Sequence, residues 1–392
     1  MEHPSKSPTL SDISSHVLHV SGKTNWWFLS VTDSTGAIGW GEGSLNGWEP
    51  ALDALTAQQR PSWLGLPIEL AVQEAQAWPG PVSGLLGAAV ASAFLQALLS
   101  LQAQHAGQAP YALLGPAQRE RLPLYANINR ATVERSPDGF AATARRAQAQ
   151  GFERFKAAPF DGLIPALCNS AEGRARIRHG IDCLLAIRDA IGPQAELMVD
   201  CHWRFDEERA LQALRDLQPV GLRWFECPLP ETHANWNAIR RIRRAANAMG
   251  VQLAAAETQV GLAAFQTLFD EGLYDVVMPD VKYCGGPWEM LRIAQRAAEQ
   301  GVGFSPHNPT GPVCTWQSLQ VGLVAPVCDM LELQFDESAL TDMVSLGVDL
   351  QARQGALTQP AAQASVQHLD AAVLAAHPFR PVPPGIESQL NR

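Results

Sequence analysis

Short apolar runs recur along most of this chain, separated by longer stretches whose apolar residues fall three and four apart. From Leu122 onward the runs predict strands over 123–128, 153–157, 196–200, 221–226, 252–256, 274–279, 302–305 and 329–333. The stretches between them predict helices over 137–150, 171–191, 207–217, 234–248, 261–270, 286–300 and 312–322. Strict alternation of strands and helices predicts an α/β fold with a parallel sheet, closed into a barrel. An open doubly wound sheet would want a glycine-rich phosphate loop after its first strand, and Tyr125-Ala-Asn-Ile-Asn-Arg130 offers none.

Ahead of the barrel the pattern is different. Residues 1–8 read as disordered, and from Leu10 to Ser44 the alternation is β-like, with turns at Ser21-Gly22 and Ser34-Thr-Gly36. A small antiparallel meander is expected there, followed by helices over 49–58, 69–77 and 83–104 with Pro61, Pro79 and Pro81 at the breaks. The chain therefore divides into an α+β domain over 1–116, a barrel over 117–338, and an Ala/Gln/Pro-rich segment over 339–392 that packs back on the first domain. Trp26 and Trp27 should face opposite sides of their strand, so that one of them can reach down as a lid residue.

At 392 residues there is room for a barrel of about 250 residues and one smaller domain. The net charge of -10 argues against nucleic-acid binding but leaves small anionic substrates open. Seven cysteines with no Cys-x-x-Cys pair read as reduced thiols of a cytoplasmic protein. The polar start Met1-Glu-His-Pro-Ser-Lys shows no signal peptide, and the apolar stretch 84–99, broken by Ser92 and Gln96, reads as a buried helix. The expected partners are a small carboxylate substrate and further copies of the chain, with no membrane and no nucleic acid.

Three apolar runs close on an acidic residue: Asp200, Glu226 and Glu257, spaced 26 and 31 residues apart. A barrel brings the C-terminal ends of such strands side by side. Three converging carboxylates repel each other unless a cation sits between them, and oxygen donors favour Mg²⁺. Period-two alternation puts Lys156 beside Ala158, Asp200 beside His202 and Asp280 beside Lys282. Asp280 can hold the His307 ring in one tautomer, which makes His307 a candidate general base. Glu332 closes the last strand. Lys156 is a candidate anchor for a substrate carboxylate; Lys282 either pairs with Asp280 or Glu257 or faces the mouth as a spare ammonium. Asn127 and Asn129 would bind substrate hydroxyls or satisfy turn backbone, and Arg130 would reach a carboxylate or pair with surface acids. Cys201, Cys227 and Cys284 alternate away from the site and read as packing residues.

Through Gly39-Trp-Gly-Glu-Gly, Trp224-Phe-Glu-Cys-Pro, Ala255-Ala-Glu-Thr and Leu331-Glu-Leu-Gln, the chain resembles the enolase superfamily in its mandelate racemase-like branch. The resemblance implies an α+β capping domain on a modified (β/α)₇β TIM-type barrel. It implies Asp200, Glu226 and Glu257 as Mg²⁺ ligands, Asp280 and His307 as a catalytic dyad, and Glu332 as the carboxyl that hydrogen-bonds an enediolate. Lys156 matches the first lysine of the Lys-x-Lys motif, whereas the second is replaced by Ala158, which cannot move a proton. Racemisation and muconate-type cycloisomerisation are thereby disfavoured. His202 in Asp200-Cys-His-Trp-Arg-Phe, with Ser305-Pro-His-Asn-Pro-Thr-Gly-Pro312, resembles the acid-sugar dehydratases of the branch. The implied reaction is loss of water from an aldonate or aldarate, with His307 as base and His202 as acid, giving a 2-keto-3-deoxy acid. A cycloisomerase of a sugar-acid lactone or anhydro sugar acid would use the same core, and a non-catalytic metal-binding barrel is the remaining reading.

Overall fold

Strand β2 (Thr24–Asp33) lies between β1 (Leu10–Ser21) and β3 (Ile38–Glu42) in an antiparallel sheet, with Val17 opposite Trp27 and Phe28 opposite Glu42. The computed structural model describes residues 7–78, 84–361, 364, 366 and 368–385. Most of the irregular start, the Pro79/Pro81 break and parts of the tail thus lie outside the described residues. Alternation along β2 decides how the two domains meet. Trp26 and Phe28 join the core shared with the barrel, while Trp27, Leu29 and Val31 join a separate core inside the first domain.

That second core is closed by α1 (Glu49–Trp63), α2 (Ile68–Ala77) and α3 (Leu85–Ala106). Helix α1 runs through Pro61, where a break was expected. The proline sits in the last turn, and continuing the helix lets Trp63 stack on Phe94 at 4.0 Å between ring centroids. Burial of that indole outweighs one lost backbone bond. By length and composition α3 passes for a membrane span, yet 89% of its apolar window is buried inside the fold.

Strand β3 lies directly on α3, and its glycines make this approach possible. A Cβ at Gly39, Gly41 or Gly43 would collide with the carbonyl oxygens of Ala97, Ala93 and Ala89 respectively. Two strand residues rise roughly 6.6 Å and four helix residues roughly 6 Å, so a Gly-x-Gly-x-Gly stripe keeps step with alanines spaced four apart. The residue between these glycines, Glu42, points the other way, across the domain boundary. It is fully buried and accepts from Thr310 Oγ1 (2.5 Å), Gly311 N (2.8 Å) and Cys314 N (3.0 Å) at the start of a barrel helix. A carboxylate there satisfies orphan N–H groups and complements the helix dipole.

A short helix, α4 (Pro110–Leu114), leads into the barrel. Its strands are β4 (Arg121–Asn127), β5 (Arg154–Ala157), β6 (Glu196–Asp200), β7 (Leu222–Glu226), β8 (Gln252–Ala255), β9 (Val276–Val277), β10 (Gly303–Phe304) and β11 (Leu331–Gln334). The intervening helices are α5 (Pro137–Ala149), α6 (Ala171–Ile191), α7 (Glu207–Asp216), α8 (Trp236–Ala248), α9 (Gly261–Asp270), α10 (Gly286–Glu299) and α11 (Pro312–Val324). Neighbours pair in parallel from β4 to β10, and β11 returns to pair with β4. Ser305 Oγ donates to Met330 O (2.9 Å) where the last two strands meet, which completes a (β/α)₇β barrel. β9 and β10 are shorter than expected because Pro279 and Pro306 have no N–H for the ladder. Pairing resumes beyond them as a single parallel bridge between Asp280 and His307. Tyr125, Met198, Trp224, Val276, Met278 and Met330 fill the barrel interior below.

After Ala339 the chain first adds to the barrel, through 356–358 pairing antiparallel with β4. It then reaches the first domain, where His377 O and Arg380 O accept from His19 N (3.0 Å) and Asn25 Nδ2 (2.9 Å).

Gly41→Ala should destabilise the protein by about 3 kcal/mol through overpacking of β3 against α3. Chemical denaturation checks it; a change below about 1 kcal/mol would mean that the two elements can separate without loss.

Candidate metal centre and active site

Asp200, Glu226 and Glu257 end or follow β6, β7 and β8, and the ligand-capable oxygens of the three lie within 4.8 Å of one another. All three are buried. The backbone beside them is forced into the left-handed region at residues other than glycine: His202 (φ 48°), Trp203 (φ 57°), Cys227 (φ 45°) and Ala256 (φ 85°). Each costs about 1–3 kcal/mol and persists only when the surroundings impose it. Trp203 N donates to Cys227 O (2.6 Å), and Glu231 accepts from both Trp203 Nε1 (3.1 Å) and Ala256 N (3.3 Å). Glu231 thus joins two strained segments, one flanking Asp200 and one flanking Glu257, a role the sequence reading did not anticipate.

The trio is unequally compensated. Burial would raise the Asp200 carboxyl, but His202 and Lys156 outweigh it and hold it below the usual carboxylate range. Burial pushes Glu226 up to about 8, with Lys156 opposing and Asp200 adding to the rise. Burial, Asp200 and Glu226 together raise Glu257 well above the usual value. Close carboxylate oxygens, strong mutual repulsion and a water-poor setting fit a divalent cation with hard-ligand preference.

Lys156 does not reach the cavity at the barrel mouth. It is fully buried and donates to Glu226 Oε1 (2.7 Å), with Glu332 Oε1 at 3.0 Å. Burial would lower its ammonium, but Glu226 and Glu332 more than reverse this. Glu332 is equally enclosed: Asn127 Nδ2 donates to Oε1 (2.6 Å) and Asn308 N to Oε2 (2.9 Å). Burial raises the Glu332 carboxyl, yet Lys156, His307 and the Asn308 N–H overcome it and keep the group ionised. Neither residue is among those that line the cavity.

The cavity itself, of about 240 Å³, is lined by Asp200, Glu257, His202 and His307 from the barrel and by Trp26 from the first domain. His307 Nδ1 lies 2.8 Å from Asp280 Oδ2 and its Nε2 lies 3.5 Å from Glu257 Oε2. Burial would raise Asp280, but Lys282 and His307 reverse it. The ionised Asp280 therefore takes the Nδ1–H and leaves the Nε2 lone pair on the trio side. His202 Nε2 lies 2.8 Å from Asp200 Oδ2.

Several expected substrate contacts are already engaged. Lys282 Nζ donates to Asp280 Oδ2 (2.7 Å), which places it with Asp280 rather than Glu257. Arg130 Nη1 pairs with Glu337 (2.9 Å), and Asn129 Oδ1 accepts from Arg135 Nη2 (2.8 Å). Asn127 Oδ1 accepts from Asn129 N (3.0 Å), the turn-satisfying bond, although both asparagines also line the cavity. Lys23, Arg135, Asp161 and Arg204 line it too and were not foreseen. For Arg204 alternation gave no usable signal, because β6 ends at Asp200 and the backbone turns left-handed at His202 and Trp203.

Residues 139–363 match the family described as enolase C-terminal domain-like. The chain belongs to the enolase superfamily. A D-galactonate dehydratase family member from Streptomyces bingchenggensis (strain BCW-1) is 30% identical over 337 residues, covering 79% of this chain and 80% of that protein. D-gluconate dehydratase from Thermoproteus tenax is 30% identical over 246 residues; the match covers 62% of this chain but spans only 47% of that protein. Among solved structures, a Burkholderia xenovorans strain LB400 protein, provisionally assigned as an L-alanine-DL-glutamate epimerase and bound to magnesium and fumarate, superposes with a TM-score of 0.85. The superposition covers 98% of this chain and 99% of that one, and at 22% identity it speaks to the enolase-superfamily fold alone.

Mg²⁺ at about one hundred times its Kd should stabilise the protein by about 2.7 kcal/mol, and Glu257→Gln should erase that gain. Without metal the same variant should be no less stable than wild type, since burial already inclines that carboxyl to hold a proton and glutamine is its neutral counterpart. Thermal unfolding with and without Mg²⁺ reads both; equal metal shifts in the two proteins would remove Glu257 from the site.

Proposed function

We propose that this enolase-superfamily enzyme is a Mg²⁺-dependent dehydratase of a sugar acid, a hydro-lyase. The observation that carries the reading is a pair of imidazoles on the cavity that holds Asp200 and Glu257: His307, backed by Asp280, and His202, held by Asp200. The dehydratase names of its relatives at 30% identity support the same reaction class. Asp200, Glu226 and Glu257 would hold the cation, and the magnesium in the Burkholderia structure supports that choice. Bound Mg²⁺ would supply the fixed positive charge against which a proton beside a carboxylate becomes acidic.

The remaining work falls to the chain's own residues. His307 Nε2 takes the proton from the carbon next to the substrate carboxylate, while Asp280 keeps Nδ1–H and stabilises the imidazolium that forms. Lys282 on the same Asp280 oxygen keeps that carboxylate ionised. His202, in its protonated form, keeps one N–H on Asp200 and gives the other proton to the β-hydroxyl. That hydroxyl leaves as water as the carbon–carbon double bond forms. The resulting enol tautomerises to a 2-keto-3-deoxy acid. Lys156 and Glu332 act by positioning, the first bracing Glu226 and the second fixing Lys156 and Asn308. Asn127 and Asn129 bind substrate hydroxyls. Ala158 stands where a second lysine would be needed to reprotonate the opposite face, so the site is built to expel a group rather than to invert a centre.

Incubation with Mg²⁺ and a panel of aldonates and aldarates should release a 2-keto-3-deoxy acid, measured as its semicarbazone absorbance. His307→Asn should lower kcat by about 10³-fold and abolish solvent-deuterium exchange at the α-carbon. Ring-opening of lactones with no dehydration of open-chain acids would replace this reading with a cycloisomerase.

A further inference from the structure

Among the described residues that line the cavity, cationic side chains outnumber carboxylates. Its cationic lining residues are Lys23, Arg130, Arg135, Arg204 and Lys282. Three of these meet acids: Arg130 with Glu337 (2.9 Å), Arg135 with Asp161 (2.7 Å) and Lys282 with Asp280 (2.7 Å). Among the described residues, Lys23 and Arg204 have no carboxylate within ion-pair distance. Arg204 is partly buried; its Nη1 is held by Phe160 O (2.7 Å), and its buried Nε has no partner. A guanidinium drawn partly out of water, with only the longer-range pull of Asp161 and Asp200 to offset it, is costly, and a bound anion would reduce that cost.

Lys23 lines the same cavity from the first domain, on the turn between β1 and β2. That turn is pinned over the barrel: Thr24 Oγ1 donates to Glu337 Oε1 (2.5 Å), the carboxylate that also holds Arg130. The next residue is fixed by Asn25 N donating to Asn46 Oδ1 (2.9 Å). The backbone at Lys23 is thus located while its ammonium is uncommitted, which is what a ligand contact requires.

Building on the dehydratase reading, we propose that Arg204 and Lys23 form a subsite for a second anionic group at the far end of the acid sugar, so that the substrate is a dianion. The carboxylate next to the reacting carbon lies at the metal trio, and the chain of hydroxyl-bearing carbons runs from there toward the first domain. A terminal carboxylate, as in an aldarate, and a terminal phosphate, as in a phosphorylated aldonate, share this chemistry. Guanidinium favours either anion with two parallel hydrogen bonds, and an ammonium adds charge without geometric demand.

Matched acids that differ only at the terminal carbon test the subsite: aldonate, aldarate and phosphorylated aldonate of one stereochemistry, with the holoenzyme in Mg²⁺. One of the two dianions should exceed the aldonate in kcat/KM by about 100-fold, mainly through KM, and which one does so identifies the anion. Arg204→Gln and Lys23→Gln should each cut that dianion-to-monoanion ratio about 10-fold, and Arg204→Lys should recover part of it. If Arg204 only staples its loop to Phe160, all three acids fall together and the ratio stays, which overturns the subsite. Equal turnover of aldonate and dianions by the wild type overturns it too, while leaving the dehydratase intact. If no acid is dehydrated, the dehydratase reading fails, and ligand-induced thermal shifts decide the subsite separately. A larger shift with a dianion, lost in both variants, upholds it; equal shifts reject it.

Discussion

Like-charge repulsion among Asp200, Glu226 and Glu257 is the constraint around which the barrel mouth is arranged. With oxygens less than 5 Å apart, each ionised pair costs roughly 3 kcal/mol at an effective dielectric of about 20. Three such pairs approach the whole stability of a typical domain. The surroundings answer this in several ways. Lys156 is buried against Glu226, and Trp224 Nε1 donates to Glu226 Oε2 (2.8 Å). His202 pairs with Asp200, and burial leaves Glu226 and Glu257 inclined to hold protons. A divalent cation would resolve the remainder, and the residues that look like an energetic fault in the bare chain are the ones that could hold it.

The same constraint explains the strain beside it. Left-handed backbone at His202, Trp203, Cys227 and Ala256 directs three side chains from three strands toward one point. Glu231 and the β6–β7 backbone contacts keep those turns from relaxing. Rigid placement of this kind keeps a site from reorganising as charge develops, which is where enzymes of this chemistry gain most.

The first domain is part of the site. Its glycine stripe lets β3 settle on α3, and that places Glu42 on the start of α11 and on Thr310, just beyond His307. Its β1–β2 turn supplies Lys23 and its β2 supplies Trp26 to the cavity, held by Thr24 on Glu337. His307 and the Lys23 side of the cavity are therefore both referred to one contact between domains.

Much of this was legible in one dimension. The spacing of Asp200, Glu226 and Glu257 is a local property that strand and βα length set and the fold has to respect. Asp200 with His202 and Asp280 with Lys282 were legible as neighbours two residues apart, but turns beyond the strands bring them together, with His202 N and Lys282 N donating to Asp200 Oδ1 (2.9 Å) and Asp280 Oδ1 (2.8 Å). Trp26 and Trp27 do separate by alternation alone. What the chain could not disclose was which charges cancel. Arg130 meets Glu337 some two hundred residues away, Lys156 is buried between Glu226 and Glu332, and among the described residues Arg204 and Lys23 have no acid within ion-pair distance. The helix that runs through Pro61 is a similar case, decided by Trp63 finding Phe94. Periodicity is written residue by residue, whereas ion pairing and burial depend on distances that exist only after the barrel has closed and the first domain has settled on it.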